Sequence, residues 1–251
     1  MRPNKNTLQP SLSEKFSGLI WKLKVHDHGL IAIETRNAES RQVAFSAFDF
    51  ITGEKKFKEK TYDEGWNLSL AFAGQQNIVL NGYEHAQTPE SKGILSVSAQ
   101  DGSIIWQQFN VSLNDVQNAG IQVYDSRIQP RKYYWIDHNS AAVIPAPGSD
   151  VNPEIFFPEI DIKFIIPANI SHGVLAGELS VLHHSDKVIL SFHEVNADQM
   201  QQRLVVYQGD KILIDDILIS GIQKLQPEAF FIQKNHLFYI RNKEEIVAYL
   251  V

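Results

Sequence analysis

The sequence predicts an all-β fold assembled from repeated four-stranded units, and three observations lead there. Short apolar runs dominate: "GLIAIET", "QVAFSAF", "NLSLAFA", "NIVLNGY", "KVILSFH", "RLVVYQ", "KILIDDIL", "HLFYIRN" and "EIVAYLV" are rich in Val, Ile, Leu, Phe and Tyr and are separated by turn residues. No segment keeps a 3.6-residue apolar period over three turns, and the best helical candidate, "NADQMQQRL", reads as a short polar link. Finally, the chain repeats itself. "FSAFDFITGEKKF" (45–57) returns as "LSVSAQDGSIIW" (95–106), each an alternating apolar run, a polar turn closing on Gly53 or Gly102, and a run reaching Phe57 or Trp106.

Comparable breaks follow at Gly148 in "IPAPGSD" and Gly209 in "YQGDKILI", giving intervals of 49, 46 and 61 residues. Such spacing fits a supersecondary unit of about 40 to 50 residues, the size of a propeller blade. In order, the units are 18–60, 66–110, 113–160, 162–220 and 225–251, the last completed by an N-terminal strand. Each reads inner strand, second strand, loop, third strand, Gly turn, outer strand. A four-stranded sheet cannot bury both faces alone and stacks on its neighbours, which explains the nearly continuous apolar strands. Glycine suits the turn before the outer strand because positive φ there is cheap only without a Cβ. The other reading of the repeat is two similar hairpins in a β-sandwich.

The chain stops at "EEIVAYLV", which has the character of a third strand with no outer strand after it. An N-terminal strand that completes this unit hides two edges otherwise open to aggregation. Two registers offer it. Gly18 and Trp21 resemble Gly102 and Trp106, which makes "SGLIWKLKV" the outer strand and places Trp21 in the core; alternatively Trp21 aligns with Trp66, and residues 7–15 close the fold. The expectation is a single β-propeller domain over residues 1–251, with five four-stranded blades closed by the N-terminal segment.

"SAFDFITGEKKF" and "SVSAQDGSIIW" resemble the repeat of quinoprotein-type (WD-like) propellers, Ala-x-Asp-x-x-Thr-Gly-x-x-x-Trp. The first copy holds Ala47, Asp49, Thr52 and Gly53, with Phe57 near the Trp place; the second holds Gly102 and Trp106, with Ala99 read at the Asp place. The resemblance implies the fold. It does not imply that family's cofactor, which goes with a larger ring, a vicinal Cys pair and acidic calcium ligands, so no cofactor is expected. "HGLIAIETRN" and "NGYEHAQTPESKGILSV" are similar to an uncharacterised bacterial domain-of-unknown-function family over roughly residues 18–110, which implies no activity.

Composition narrows the function classes. A net charge of -6 argues against non-specific nucleic-acid binding, which needs clustered Lys and Arg. With no cysteine there are no disulfides, thiolate zinc sites or cysteine nucleophile, and the chain suits a reducing compartment. The polar opening "MRPNKNTLQPSLSEKFSG" lacks the apolar core of a signal peptide, and no apolar run approaches the roughly 18 residues of a membrane span. A soluble, cytoplasmic protein with no nucleic-acid or membrane partner is expected.

The candidate ligand-binding residues lie where second strands are expected to end: Glu34 and Arg36 in "ETR", Tyr83 and His85 in "NGYEH", Asp137 in "WIDH", His193 in "FHE" and Arg241 in "IRN". In a propeller these ends share one face, and the loop 83–93, the longest second-to-third connection, borders it. "KYYWID" offers Tyr133 or Trp135 for stacking. His26 and His28 of "VHDHG" share a face if extended, and read either as two metal ligands or as a polar turn; "LHHSD" reads as a turn. No catalytic or metal residues are assigned. The function expected is a module binding a protein or a small-molecule or carbohydrate ligand. The alternative is a five-bladed glycoside hydrolase in which two of Asp137, Glu34 and Glu194 stand about 5 Å or 6.5–9.5 Å apart as acid and base or nucleophile.

Overall fold

The computed structural model describes residues 7–63, 67–84, 91–148, 154–170, 172–196, 199–226 and 229–251, and in them the strands form five antiparallel sheets of four or five strands. Strand β1 (Leu12–Lys15) belongs to the last of them. The first sheet is β2 (Leu19–Val25), β3 (Leu30–Asn37), β4 (Gln42–Asp49) and β5 (Lys55–Lys60). The second is β6 (Leu68–Ala73), β7 (Asn77–Tyr83), β8 (Ser91–Ser98) and β9 (Ile104–Gln108), and the third is β10 (Ser112–Gln117), β11 (Gly120–Tyr124), β12 (Tyr133–Ile136) and β13 (Val143–Ile144). Two short strands follow, β14 (Ile155–Phe156) and β15 (Glu159–Ile160). The fourth sheet is β15, β16 (Val174–His184), β17 (Lys187–Asn196), β18 (Gln199–Gln208) and β19 (Lys211–Ile222). The fifth runs β14, β20 (Phe230–Gln233), β21 (His236–Arg241), β22 (Glu245–Leu250) and β1. Among the described residues no helix is long and apolar enough to cross a membrane.

The chain divides into two compact units. One, residues 16–153, holds the first three sheets; the other, residues 1–15 with 154–251, holds the fourth and fifth. In both, the central strands are buried on both faces. Leu80 of β7 packs with Leu30, Val43 and Phe45 of the first sheet, while its neighbour Val79 packs with Ile121, Val123 and Ile136 of the third. In the fourth sheet, Val206 joins Phe230, Leu237 and Val247 of the fifth, and Val205 joins Leu179, Leu190 and Phe192 on the other face. The period of two thus serves two cores at once, which is why these strands read as continuous apolar runs.

The N-terminal strand is β1, which pairs with β22 from Leu12 opposite Ala248 to Lys15 opposite Glu245. Trp21 lies instead in β2, and it is 60% exposed rather than in a core. The link expected at "NADQMQQRL" is largely strand: β18 starts at Gln199, because β17 and β19 pair with it on both sides.

The turn before the outer strand has one geometry in the first three sheets. The Gly53 N–H donates to the Asp49 carbonyl, Gly102 to Ser98 and Ala141 to Asp137, at 2.8, 2.8 and 3.0 Å. The first residue's side chain caps the turn: Asp49 Oδ1 accepts from the Ile51 and Thr52 N–H groups, Ser98 Oγ from Gln100, and Asp137 Oδ1 from Asn139 and Ser140. Ser98, not Ala99, therefore stands at the place of Asp49. The third unit also differs from the expected 113–160. Its turn is at 137–142, Gly148 follows the sheet, and "EIFF" supplies β14, which pairs with β20.

Gly53 and Gly102 have φ of 75° and 67°; Ala141 takes 56° with a Cβ. A left-handed L-residue costs about 1–2 kcal/mol, and glycine gives back about 0.5–1 kcal/mol in chain entropy. Ala141→Gly should therefore stabilise the protein by about 0.5–1 kcal/mol in chemical denaturation. A loss of stability would mean that the Ala141 methyl contact outweighs the backbone strain.

Candidate functional site

Glu34 ends the buried run of β3 and is wholly inaccessible to solvent. Such a charge needs hydrogen bonds on both oxygens, and it has them. Arg36 Nε donates to Oε1 at 2.7 Å, while the Ser69 hydroxyl and the Leu70 N–H donate to Oε2 at 3.0 and 2.7 Å. Arg36 also donates to the Leu68 carbonyl at 3.1 Å, and Lys22 Nζ to Ser69 Oγ at 2.6 Å. The ladder of β6 on β7 shifts between Leu70 and Phe72, so the Leu70 N–H lies at a β-bulge. Glu34 is thus a clamp between the first and second sheets.

The next seam repeats the plan without charge. Asn81 Oδ1 accepts from Ser91 Oγ at 2.6 Å, and Ser91 Oγ accepts at 2.8 Å from the Leu113 N–H, again at a bulge. Tyr83 ends β7 and is half-buried. Its neighbour Gly82 lies opposite Leu68, the residue that Arg36 holds, so Glu34, Arg36 and Tyr83 share one edge. Trp21 joins them, its ring 5.4 Å from the Arg36 guanidinium. The sequence offered this Trp as a core aromatic; the bulge of β2 between Ile20 and Lys22 instead puts it at the surface. His85 lies outside the described residues, as do 86–90 of the expected recognition loop; its flanks Glu84 and Lys92 pair at 2.9 Å.

Asp137 was expected at a second-strand end. It follows β12, the third strand of its sheet, at the opposite end of the ladder, because residues 137–142 form the turn to β13. The Ser140 hydroxyl, with the Ser140 and Asn139 N–H groups, holds its carboxyl below the usual range against a partial burial penalty, the wrong direction for a general acid. In the other unit, Glu194 is buried and accepts from the Gly173 N–H and Gln201 Nε2 at 2.6 and 2.7 Å. Arg241 pairs with Asp216 at 2.5 Å and Glu245 at 3.1 Å; the Tyr239 hydroxyl also donates to Asp216, binding the fourth sheet to the fifth. His193 is buried, and its Nε2 accepts from the Gln226 N–H at 3.0 Å. Of the stacking candidates, Tyr133 is exposed and Trp135 half-buried.

A separate concavity of about 420 Å³ opens among the turns of residues 16–153, lined by His26, Asp27, His28, Gln75, Gln76, Asn77, Asn118, His138 and Asn139 around Phe72. The His26 and His28 rings lie 5.1 Å apart, and the His28 N–H donates to His26 Nδ1 at 3.2 Å. "VHDHG" is a turn, and among the described residues no three His, Asp or Glu side chains are placed to hold a metal. The amides were missed in the sequence because they come from turns far apart along the chain.

Glu34→Ala leaves the Leu70 N–H and Arg36 without their acceptor, and should cost about 3–5 kcal/mol in chemical denaturation, as breaking a buried ion pair does. Glu34→Gln should cost less, since its amide oxygen still accepts from Leu70. Equal losses would show that shape rather than hydrogen bonding matters there. A second expectation concerns acid. Burial lowers the His193 pKa from its ordinary 6.5. The unfolded chain then takes up a proton that the folded chain resists, so this contribution to stability is full above about pH 6.5 and falls as the pH drops below it. Melting temperatures measured from pH 7.5 downward should fall less steeply in His193→Gln; an unchanged slope would clear His193 as the cause.

A family profile described as "Domain of unknown function (DUF4905)" matches residues 25–106, less than half of the chain. No curated protein matches. Among solved structures, the chain is similar to "The beta-propeller domain of the Trilobed protease from Pyrococcus furiosus", at 10% identity and a TM-score of 0.33, covering 90% of this chain and 77% of that chain. At that TM-score the likeness carries no argument, and the fold rests on the sheets themselves.

Proposed function

We propose that the chain is a five-bladed propeller of quinoprotein-like type that works in the cytoplasm as a non-catalytic binding module. Its partner is a protein or a small molecule, carbohydrate included, held at the edge that carries Trp21, Arg36 and Tyr83. The repeated Asp49 and Asp137 turns, the sequential meanders and the completion of the last sheet by β1 support the propeller plan.

One observation carries the binding reading. Trp21 presents a largely exposed indole on an edge strand, and its backing guanidinium is fixed by a buried carboxylate. Aromatic rings held in this way give large contact area at low entropy cost. The hydrolase reading has less support, because Glu34, Glu194 and Asp137 are each committed to hydrogen bonds within the fold.

The test screens the full chain by thermal shift against a metabolite and glycan library, and by hydrolysis of nitrophenyl glycosides. Trp21→Ala and Tyr83→Ala should fold with stability within about 0.5 kcal/mol of the parent and lose the ligand-induced shift, with no glycoside turned over. A library in which no ligand's shift depends on Trp21 and Tyr83, or glycoside turnover abolished by Glu34→Gln, would overturn the reading.

A further inference from the structure

We propose that the concavity lined by His26, Asp27, His28, Asn77, Asn118 and Asn139 is a second site, for a neutral, hydroxyl-rich ligand of mono- or disaccharide size. It is independent of the Trp21 edge. Its volume of about 420 Å³ falls within the range of small-molecule sites, about 300–1,000 Å³.

The chemistry of the lining selects the class. Gln75, Gln76, Asn118 and Asn139 bring four primary amides to one cavity, each with an acceptor oxygen and a two-donor nitrogen, beside Asn77, whose Nδ2 is taken by Ser96 and the His138 carbonyl. A hydroxyl both donates and accepts, and a sugar presents hydroxyls in adjacent pairs, which such amides can bridge. No Lys or Arg lines the cavity, and Asp27 contributes the one carboxylate, so a phosphate or carboxylate ligand would meet repulsion with no Lys or Arg to offset it. Because His26 Nδ1 accepts the His28 N–H, a neutral His26 ring carries its proton on Nε2.

The wall is preorganised. The His138 carbonyl accepts from Asn77 Nδ2, Ser96 Oγ and Trp106 Nε1 at 2.9, 3.0 and 2.8 Å, which pins the turn after β12 onto the second sheet. The His138 ring stacks on Phe72 with centroids 5.0 Å apart. A ligand therefore meets groups already ordered by the fold, which lowers the entropy cost of binding. Trp106, bonded to this wall, provides an intrinsic fluorescence reporter.

The experiment titrates the full chain with maltose, cellobiose, lactose and glucose, and with glucose 6-phosphate as the anionic arm, following heat and Trp fluorescence. At least one neutral sugar should bind saturably with Kd of about 1 mM or tighter, and glucose 6-phosphate should not. His28→Ala and Asn139→Ala, both at exposed positions, should weaken that binding at least ~10-fold. Gln76→Trp, which fills the cavity from an exposed position, should abolish it, and Trp21→Ala should bind like the parent. No saturable binding by any of the neutral sugars, binding that survives Gln76→Trp, or binding lost in Trp21→Ala would each overturn the proposal. A sugar whose binding is lost in the cavity variants alone would support this site while leaving the Trp21 edge without a ligand.

Discussion

A backbone N–H at a bulged inner strand must find an acceptor, and the sheet before it supplies one. Leu70 turns to Glu34 and Leu113 to Ser91, both at positions where the ladder slips by a residue. Apolar contact between stacked sheets is non-directional and tolerates sliding. A hydrogen bond from a fixed N–H to a buried oxygen does not, so these two contacts set how one sheet sits on the next. The buried carboxylate is what this arrangement requires at the first seam, and Arg36, which shares it, is what makes it tolerable in a low-dielectric interior.

The two charged seams and the neutral one solve the same problem with different residues. Asn81 with Ser91 avoids the desolvation of an ion. Asp216 with Tyr239 and Arg241 spreads one carboxylate over several donors, and inside the fourth sheet Arg203 bridges two carboxylates, Asp215 and Glu194. A buried acid next to an Arg looks like catalytic machinery when read from a sequence. Glu34, with both its oxygens occupied by fixed donors inside the fold, is spent on the architecture rather than turned toward a substrate.

Much of the fold was legible because it rests on local signals. Two-faced burial makes continuous apolar runs, and the x-to-x+4 turn needs Asp, Ser or Gly at fixed places, so Gly53 and Gly102 marked the first two sheets correctly. The third sheet hid its turn, because Ala141 accepts a left-handed φ that glycine normally announces, and Gly148 in a connecting segment took its place in the reading. The site was legible only as residue types. Glu34, Arg36 and Tyr83 do share an edge, but sequence spacing cannot show that Glu34 is sealed from solvent or that a one-residue bulge turns Trp21 outward. The amide-lined cavity left no local signature, since each turn contributes one or two polar residues that look ordinary alone.

The pairing of β1 with β22 has a consequence in time. Ser11 reaches the Ala248 carbonyl, 237 positions away, so β1 joins a strand made long after it. At the usual 5–20 residues per second, β1 waits roughly 10–50 s during synthesis before its partner exists. Only Leu12 in that strand is fully buried in the finished fold, and the rest of "LSEK" is polar. Such a segment can stay solvated near the ribosome without inviting a neighbour to pair with it. The strand that finishes the fifth sheet is thus one whose composition lets it remain idle longest.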